Sequence, residues 1–144
     1  MTKILITGSK GQLGSAILDL AADYPQFSFT GIDIDDLDLT NDTLVRQFLE
    51  QHDFSYIVNC AAYTAVDLAE TQSEKAFAVN AGIPQLLGRI CNENDTRLIH
   101  ISTDYVYNGK SWIPHTEDEV LAPVSVYAKS KAEGEMALRN NPFA

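Results

Sequence analysis

Tyr127 and Lys131 stand four positions apart in a stretch, Ser125 to Arg139, rich enough in Ala, Lys, Glu and Leu to predict a helix, so both side chains face one side of it. A phenol with a pKa near 10 is a poor acid–base group at neutral pH, and bringing it into range takes about 3 units, or roughly 4 kcal/mol. One positive charge about 4 Å away, at an effective dielectric of about 20, supplies on the order of 4 kcal/mol. The pair therefore has the chemistry to pass a proton, with Lys131 as the source of the field. Taken alone, the same spacing also describes an ordinary surface helix. Thr103 follows the apolar run Leu98 to Ser102, where its hydroxyl either hydrogen-bonds a substrate carbonyl or caps a turn.

A second constellation lies near the start of the chain. Gly8, Gly11 and Gly14 follow the first apolar run directly and precede an amphipathic stretch directly, in the order Gly-x-x-Gly-x-x-Gly. Gly8 permits a tight turn, Gly11 lets a pyrophosphate approach the backbone, and Gly14 lets the helix pack closely on the strand. The free amides of the helix start, at Gln12 and Leu13, are then donors for an anion. Asp33 ends the next apolar run, where a carboxylate accepts the ribose hydroxyls of an adenosine. No Arg or Lys follows among Ile34, Asp35 and Asp36, so a 2′-phosphate would meet carboxylates, and NADH is expected to bind better than NADPH. A glycine-rich turn without ligand is the plain alternative.

These groups need a scaffold, and the periodicity supplies one. Short β-branched or aromatic clusters at Ile4 to Ile6, Phe27 to Ile32, Tyr56 to Val58 and Leu98 to Ile101 read as buried strands. Between them run stretches at helical spacing: Leu13, Ile17, Leu20 and Ala21; Leu44, Val45, Phe48 and Leu49; and Ala76 through Ile90. Thr40 or Asn41 is the expected N-cap of the second helix and Thr71 or Ser73 that of the third, with Pro84 kinking or breaking the latter. Alternating strand and helix predicts an α/β fold: a doubly wound, Rossmann-type parallel sheet in three layers, one NAD(P)-binding domain over residues 1–144. Asn108 to Ala122 reads as an exposed loop.

The totals narrow the partners. Twenty acidic against ten basic residues give a formal charge of −10, which weighs against nucleic acid and anionic membranes. Cys60 and Cys91, the two cysteines, fall at a strand end and in a helix and read as reduced thiols, which fits the cytoplasm. The apolar start, Ile4 to Ile6, is too short for a signal segment or a membrane span.

Together, Gly8 to Gly14 (GSKGQLG), Asn59 to Asp67 (NCAAYTAVD), Ser102 to Tyr107 (STDYVY) and Tyr127 to Lys131 (YAKSK) resemble the dTDP-4-dehydrorhamnose reductases, extended short-chain dehydrogenases, over nearly the whole chain. The resemblance implies reduction of the 4-keto group of a nucleotide sugar, dTDP-4-dehydro-L-rhamnose, by NADH or NADPH. It gives Thr103, Tyr127 and Lys131 the catalytic roles and sets Asp38 and Leu39 against adenine. Ala61, Ala62 and Tyr63 match the loop that lines the cofactor, and Asn80 matches a helix asparagine common among short-chain dehydrogenases. Homodimerisation and Mg2+ bridging subunits enter as family properties only, and Ser15 offers no carboxylate for such an ion.

Members of that family continue into a last strand and a C-terminal lobe that binds the sugar nucleotide. Phe143 reads as the first residue of that strand, so the chain resembles the cofactor half, expected to bind cofactor without reducing sugar on its own. Epimerases and 4,6-dehydratases share the glycine loop and the Tyr and Lys, but related dehydratases carry Asp-Glu after the Thr where this chain has Asp104-Tyr105. A regulatory NADP-binding subunit, like the beta subunit of methionine adenosyltransferase, is the non-enzymatic alternative.

Overall fold

The computed structural model describes residues 1–110 and 112–144. Four strands, β1 (Thr2–Thr7), β2 (Phe27–Ile32), β3 (Tyr56–Asn59) and β4 (Arg97–His100), form one parallel sheet in the order β2-β1-β3-β4. Its helices are α1 (Gln12–Asp19), α2 (Asp42–Glu50), α3 (Val66–Ala69), α4 (Ser73–Phe77), α5 (Ile83–Glu93) and α6 (Val126–Leu138). This is the expected Rossmann-type fold.

Parallel pairing fixes which side chains share a face. Leu5, Ile57 and Leu98 stand in one row of the register and are all buried. They pack with Val45 and Leu49 of α2 and with Ile83, Leu86, Leu87 and Ile90 of α5. The neighbouring row, Gly31, Ile6, Val58 and Ile99, points the other way. There α1 lies over the sheet: a Cβ on Gly31 would come within 2.6 Å of Leu18 Cδ1. Exposure climbs along that row from 0% at Ile6 to 49% at Ile99, so this face is well covered only over its β1 side. At the β4 edge the Leu98 amide donates to the Phe143 carbonyl (2.6 Å), which is where Phe143 was expected to begin a further strand.

The second helix starts as read, Asn41 accepting from the Leu44 amide at 3.2 Å. The third does not. In place of one helix from Thr71 or Ser73, the chain forms α3, α4, a wide π-type turn over Ala78–Gly82, and α5. Thr71 donates its hydroxyl to Leu68 O at the end of α3, and Gln72, at the cap position of α4, makes no side-chain bond to that helix. Pro84 falls in the first turn of α5, where its missing N–H costs little, so it follows the irregularity rather than kinking a continuous helix. Three leucines assigned to helix faces are exposed: Leu13, Leu20, which lies past the end of α1, and Leu44.

Helix α6 is held at its start by Ser125, which accepts from the Ala128 amide (3.1 Å), and by Glu70, which accepts from the Val126 amide (2.9 Å). Along its length small residues allow close packing. A Cβ on Gly134 would overlap the Asn80 carbonyl oxygen, and one on Gly88 of α5 would sit 2.5 Å from Leu138. The helix that carries Tyr127 and Lys131 is thereby seated on α5 and on the π-type turn.

Candidate functional site

From β1 the chain first builds β2 on one side and then crosses to build β3 on the other, so the loops after β1 and β3 part at the carboxyl edge of the sheet. Open α/β sheets place ligands in such a crevice. A cleft of about 870 Å³ lies there, walled by the glycine loop, Asp33, Ile34, residues 37–40, the segment Cys60 to Thr64, and Ile101, Ser102, Tyr127 and Lys131.

The glycine loop is shaped by contacts a side chain would block. Gly8 takes φ +63, and a Cβ there would lie 2.7 Å from the Ala61 amide. A Cβ on Gly14 would overlap the Gly8 carbonyl oxygen. Gly11 donates back to Gly8 O (3.0 Å), and Ser9 donates to Ile32 O (3.1 Å), tying the loop to β2. Gln12, Leu13 and Gly14 fill the first turn of α1, where amides have no acceptor within the helix and point outward as anion donors. The shape and donors fit a dinucleotide pyrophosphate.

Asp33 stands at the mouth of this loop. Its carboxylate already accepts two backbone amides, from Lys10 (2.8 Å) and Ile34 (2.8 Å), which fixes its orientation toward the cleft. No cation follows among Ile34, Asp35 and Asp36; the fold brings one from upstream. Lys10 Nζ lies 2.8 Å from Asp35, the bond holding the lysine above and the aspartate below its ordinary pKa, with both side chains exposed. Asp38 accepts from the Thr40 hydroxyl (2.7 Å) and amide (2.9 Å), which keeps it low. Leu39 borders the cleft yet is only 7% exposed and belongs to the core.

The Ala61-Ala62-Tyr63 loop is clamped by Asn80, buried in the π-type turn. Its Oδ1 accepts the Tyr63 amide (2.8 Å) and its Nδ2 donates to Tyr63 O (3.0 Å) and to Ser130 Oγ (3.0 Å). Ser130 in turn donates to Tyr127 O (2.7 Å). Asn80 thus does not line the cleft; it locks one wall to α6. A wide turn at such a point is a frequent mark of functional sites.

At the far end Tyr127 presents its ring edge-on to Tyr105, centroids 5.8 Å apart. Lys131 is 1% exposed, and its Nζ donates to Ile101 O at 2.5 Å. Burial pushes its pKa down, and Glu135, which receives a hydrogen bond from Ser102, pushes it back up. Thr103 caps the short turn Asp104–Val106, accepting from the Tyr105 amide at 3.3 Å and reaching Asp104 at 3.4 Å. Ser102 lines the cleft and Thr103 does not.

Sequence reasoning missed His100. Its Nε2 lies 3.5 Å from Lys131 Nζ, its Nδ1 lies 3.1 Å from Asn59 Nδ2, and Asn59 Oδ1 accepts from the Thr7 hydroxyl at 2.7 Å. Burial, and then the charge of Lys131, push His100 down to about 4. A lone histidine inside an apolar run gives no signal in sequence. Only the β3–β4 register sets Asn59 beside His100.

Cys60 and Cys91 are free thiols, and burial pushes Cys91 up to about 12. Among the described residues no group of three or more His, Cys, Asp or Glu side chains could hold a metal ion, and no helix is long and apolar enough to cross a membrane.

The model of the RmlD substrate binding domain family matches residues 1–143. A dTDP-4-dehydrorhamnose reductase of Aggregatibacter actinomycetemcomitans is 37% identical over 138 residues, 96% of this chain and 47% of that protein. A probable dTDP-4,6-dihydroxy-2-methyloxan-3-one 4-ketoreductase of Streptomyces antibioticus is 40% identical over 93% of this chain and 45% of its own length. Among solved structures, a dTDP-4-dehydrorhamnose reductase of Bacillus anthracis in complex with NADP superposes with a TM-score of 0.92 at 31% identity, covering 98% of this chain and 50% of that one. The Clostridium acetobutylicum reductase gives the same TM-score at 37% identity, over 97% and 50%. The chain spans about half the length of the relatives it matches.

Proposed function

Because the chain belongs to the RmlD substrate binding domain family, we propose that it is the cofactor-holding portion of an NAD(P)H-dependent reductase whose substrate is a dTDP-linked 4-keto sugar, dTDP-4-dehydro-L-rhamnose by resemblance. The observation that carries the reading is one cleft bordered by a phosphate-type glycine loop at one end and by Tyr127 and a buried Lys131 at the other.

When bound, NAD(P)H supplies a hydride to the carbonyl carbon. The chain's own residues handle the rest. First-turn amides at Gln12, Leu13 and Gly14 receive the pyrophosphate, and Asp33 takes the adenosine ribose. Tyr127 gives its phenolic proton to the carbonyl oxygen as that oxygen gains charge. Lys131 steadies the phenolate left behind and, by resemblance, holds the nicotinamide ribose. Thr103, which stands outside the cleft wall, takes its role by resemblance alone and would have to turn its hydroxyl from Asp104 to reach the same carbonyl. No step runs through Mg2+.

NADH is placed ahead of NADPH, because a 2′-phosphate would meet Asp33, Asp35 and Asp36 with Lys10 already committed to Asp35. Fluorescence titration of the chain with both cofactors tests the first half of the reading, and tighter NADPH binding overturns the preference. The second half is tested by joining this chain to the remaining half of the Aggregatibacter relative and following loss of nicotinamide absorbance with dTDP-4-dehydro-L-rhamnose. Turnover that survives Tyr127→Phe undiminished would refute the assignment.

The dehydratase reading is disfavoured by Tyr105, which packs its ring on Tyr127 where a carboxylate would be required.

A further inference from the structure

We propose that His100 is a positioning residue: a neutral imidazole that accepts a hydrogen bond from the Lys131 ammonium at Nε2, donates from Nδ1 to Asn59, and so fixes where and in which charge state Lys131 stands. The proposal rests on the reading of Lys131 as the cation that serves Tyr127.

Thr7, Asn59 and Lys131 are each no more than 1% exposed, so their polar groups must satisfy one another without bulk water. An ammonium carries only hydrogens, so the His100 Nε2 that faces it has to present its lone pair. A neutral imidazole has a single N–H, which then sits on Nδ1. As placed, Asn59 turns Nδ2 to His100 Nδ1 (3.1 Å) and accepts the Thr7 hydroxyl at Oδ1 (2.7 Å), which is the wiring of an Nε2–H ring; a charged Lys131 requires the Asn59 amide turned over, its oxygen toward Nδ1–H and its NH2 toward Thr7 Oγ1. The opposite wiring is also self-consistent, but only for an uncharged Lys131 facing an Nε2–H. The two wirings therefore tie the tautomer of one residue to the charge of another, across three elements.

The surroundings favour the charged wiring. Lys131 Nζ has a carbonyl acceptor in Ile101 O at 2.5 Å, and Glu135 lies one turn along α6, attracting the ammonium. The groups facing His100 are Lys131 from α6, with Glu135 behind it, and the uncharged Asn59 from β3. Burial and the Lys131 charge keep the imidazole neutral through the physiological range. Nothing in the hydride or proton transfer touches His100: it acts through Lys131 alone.

The test uses the 144-residue chain labelled with 15N in histidine and lysine. At neutral pH the His100 Nδ1 resonance is expected in the protonated range and Nε2 in the lone-pair range, and Lys131→Met should move the Nε2 resonance by removing its donor. In His100→Leu the Lys131 titration midpoint should fall by about one unit, a tenfold change in its protonation equilibrium. His100→Gln, which offers an amide oxygen to Lys131 and an N–H to Asn59, should restore it. An Nε2–H tautomer, a doubly protonated ring at neutral pH, or a Lys131 midpoint indifferent to His100→Leu overturns the proposal. If His100→Leu fails to fold, the wild-type tautomer and the Lys131→Met shift still decide. These readouts need neither cofactor nor sugar, so a chain that shows the predicted tautomer but binds no NADH rejects the proposed function and not the pairing.

Discussion

The two ends of the cleft are built by different physics. At the phosphate end the ligand-facing groups are backbone amides, shaped by glycines that leave no room for a Cβ, and the charged side chains around them are exposed: 62% for Lys10 and 76% for Asp35. At the catalytic end a buried cation, amide and hydroxyl meet a partly buried imidazole. Exposed charges are screened and interact weakly, whereas buried ones feel every partner. The phosphate end should therefore fail when its shape changes, and the catalytic end when a proton or charge is misplaced.

The sharpest separation comes from Tyr127→Phe. The phenol oxygen has no structural hydrogen bond to lose among those described, while the ring keeps its edge contact with Tyr105. In the joined two-half protein, kcat should drop by about 10²–10⁴-fold, with NADH affinity and melting temperature nearly unchanged. A matching loss of NADH affinity would show that the two ends do not act separately.

The next effect is on stability. Unfolded His100 titrates near its ordinary value, whereas in the fold it is held down to about 4. The fold thus refuses a proton that the unfolded chain accepts, so the contribution is present above about pH 6.5 and is lost as pH falls toward 4, up to about 3 kcal/mol. Urea unfolding at stepped pH should show wild type losing stability through that window faster than His100→Gln, the difference between the two excluding what the carboxylates contribute to both.

Much of the phosphate end was legible in the sequence because its determinants are local. Gly8, Gly11 and Gly14 are steric requirements of one turn, and Asn41 is a cap that answers to a residue three positions away. What stayed hidden depends on register and on side chains meeting across elements. The Asn59–His100–Lys131 chain joins two strands and a helix, and the Lys10–Asp35 pair joins residues 25 positions apart. The kink-or-break at Pro84 was left open for a related reason: apolar spacing alone cannot register an inserted π-type turn, which here breaks the helix and lets Asn80 face Tyr63 and Ser130. Exposed Leu13, for its part, borders the cleft, so its apolarity serves the site and not the core.

Gly14→Ala tests shape at the phosphate end directly. Its Cβ would overlap the Gly8 carbonyl, a backbone atom that cannot swing aside, so either the loop or α1 must shift. Overpacking of this kind costs about 1–3 kcal/mol, and NADH affinity should weaken by about tenfold or more because the amides move with the loop. Calorimetric titration beside a melting curve measures both. Affinity intact in a destabilised variant would mean that the pyrophosphate is held elsewhere.

The smallest effect, and the most diagnostic of the exposed end, is expected from Lys10→Ala. Lys10 contributes to the site twice: its backbone amide orients Asp33, and its ammonium offsets Asp35. Alanine keeps the amide and removes the charge, so the ribose contact proposed for NADH survives. A 2′-phosphate would then face Asp33, Asp35 and Asp36 with the Lys10 ammonium gone. NADPH binding should therefore weaken by less than about tenfold while NADH binding holds, the exposed charge being worth no more than that. The gap between the cofactors should narrow as salt is added, since screening reaches these side chains freely. A Lys10→Ala variant that lost NADH and NADPH affinity equally would mean that the ammonium serves the shared pyrophosphate, and the division between a shape-governed and a charge-governed end would have to be redrawn.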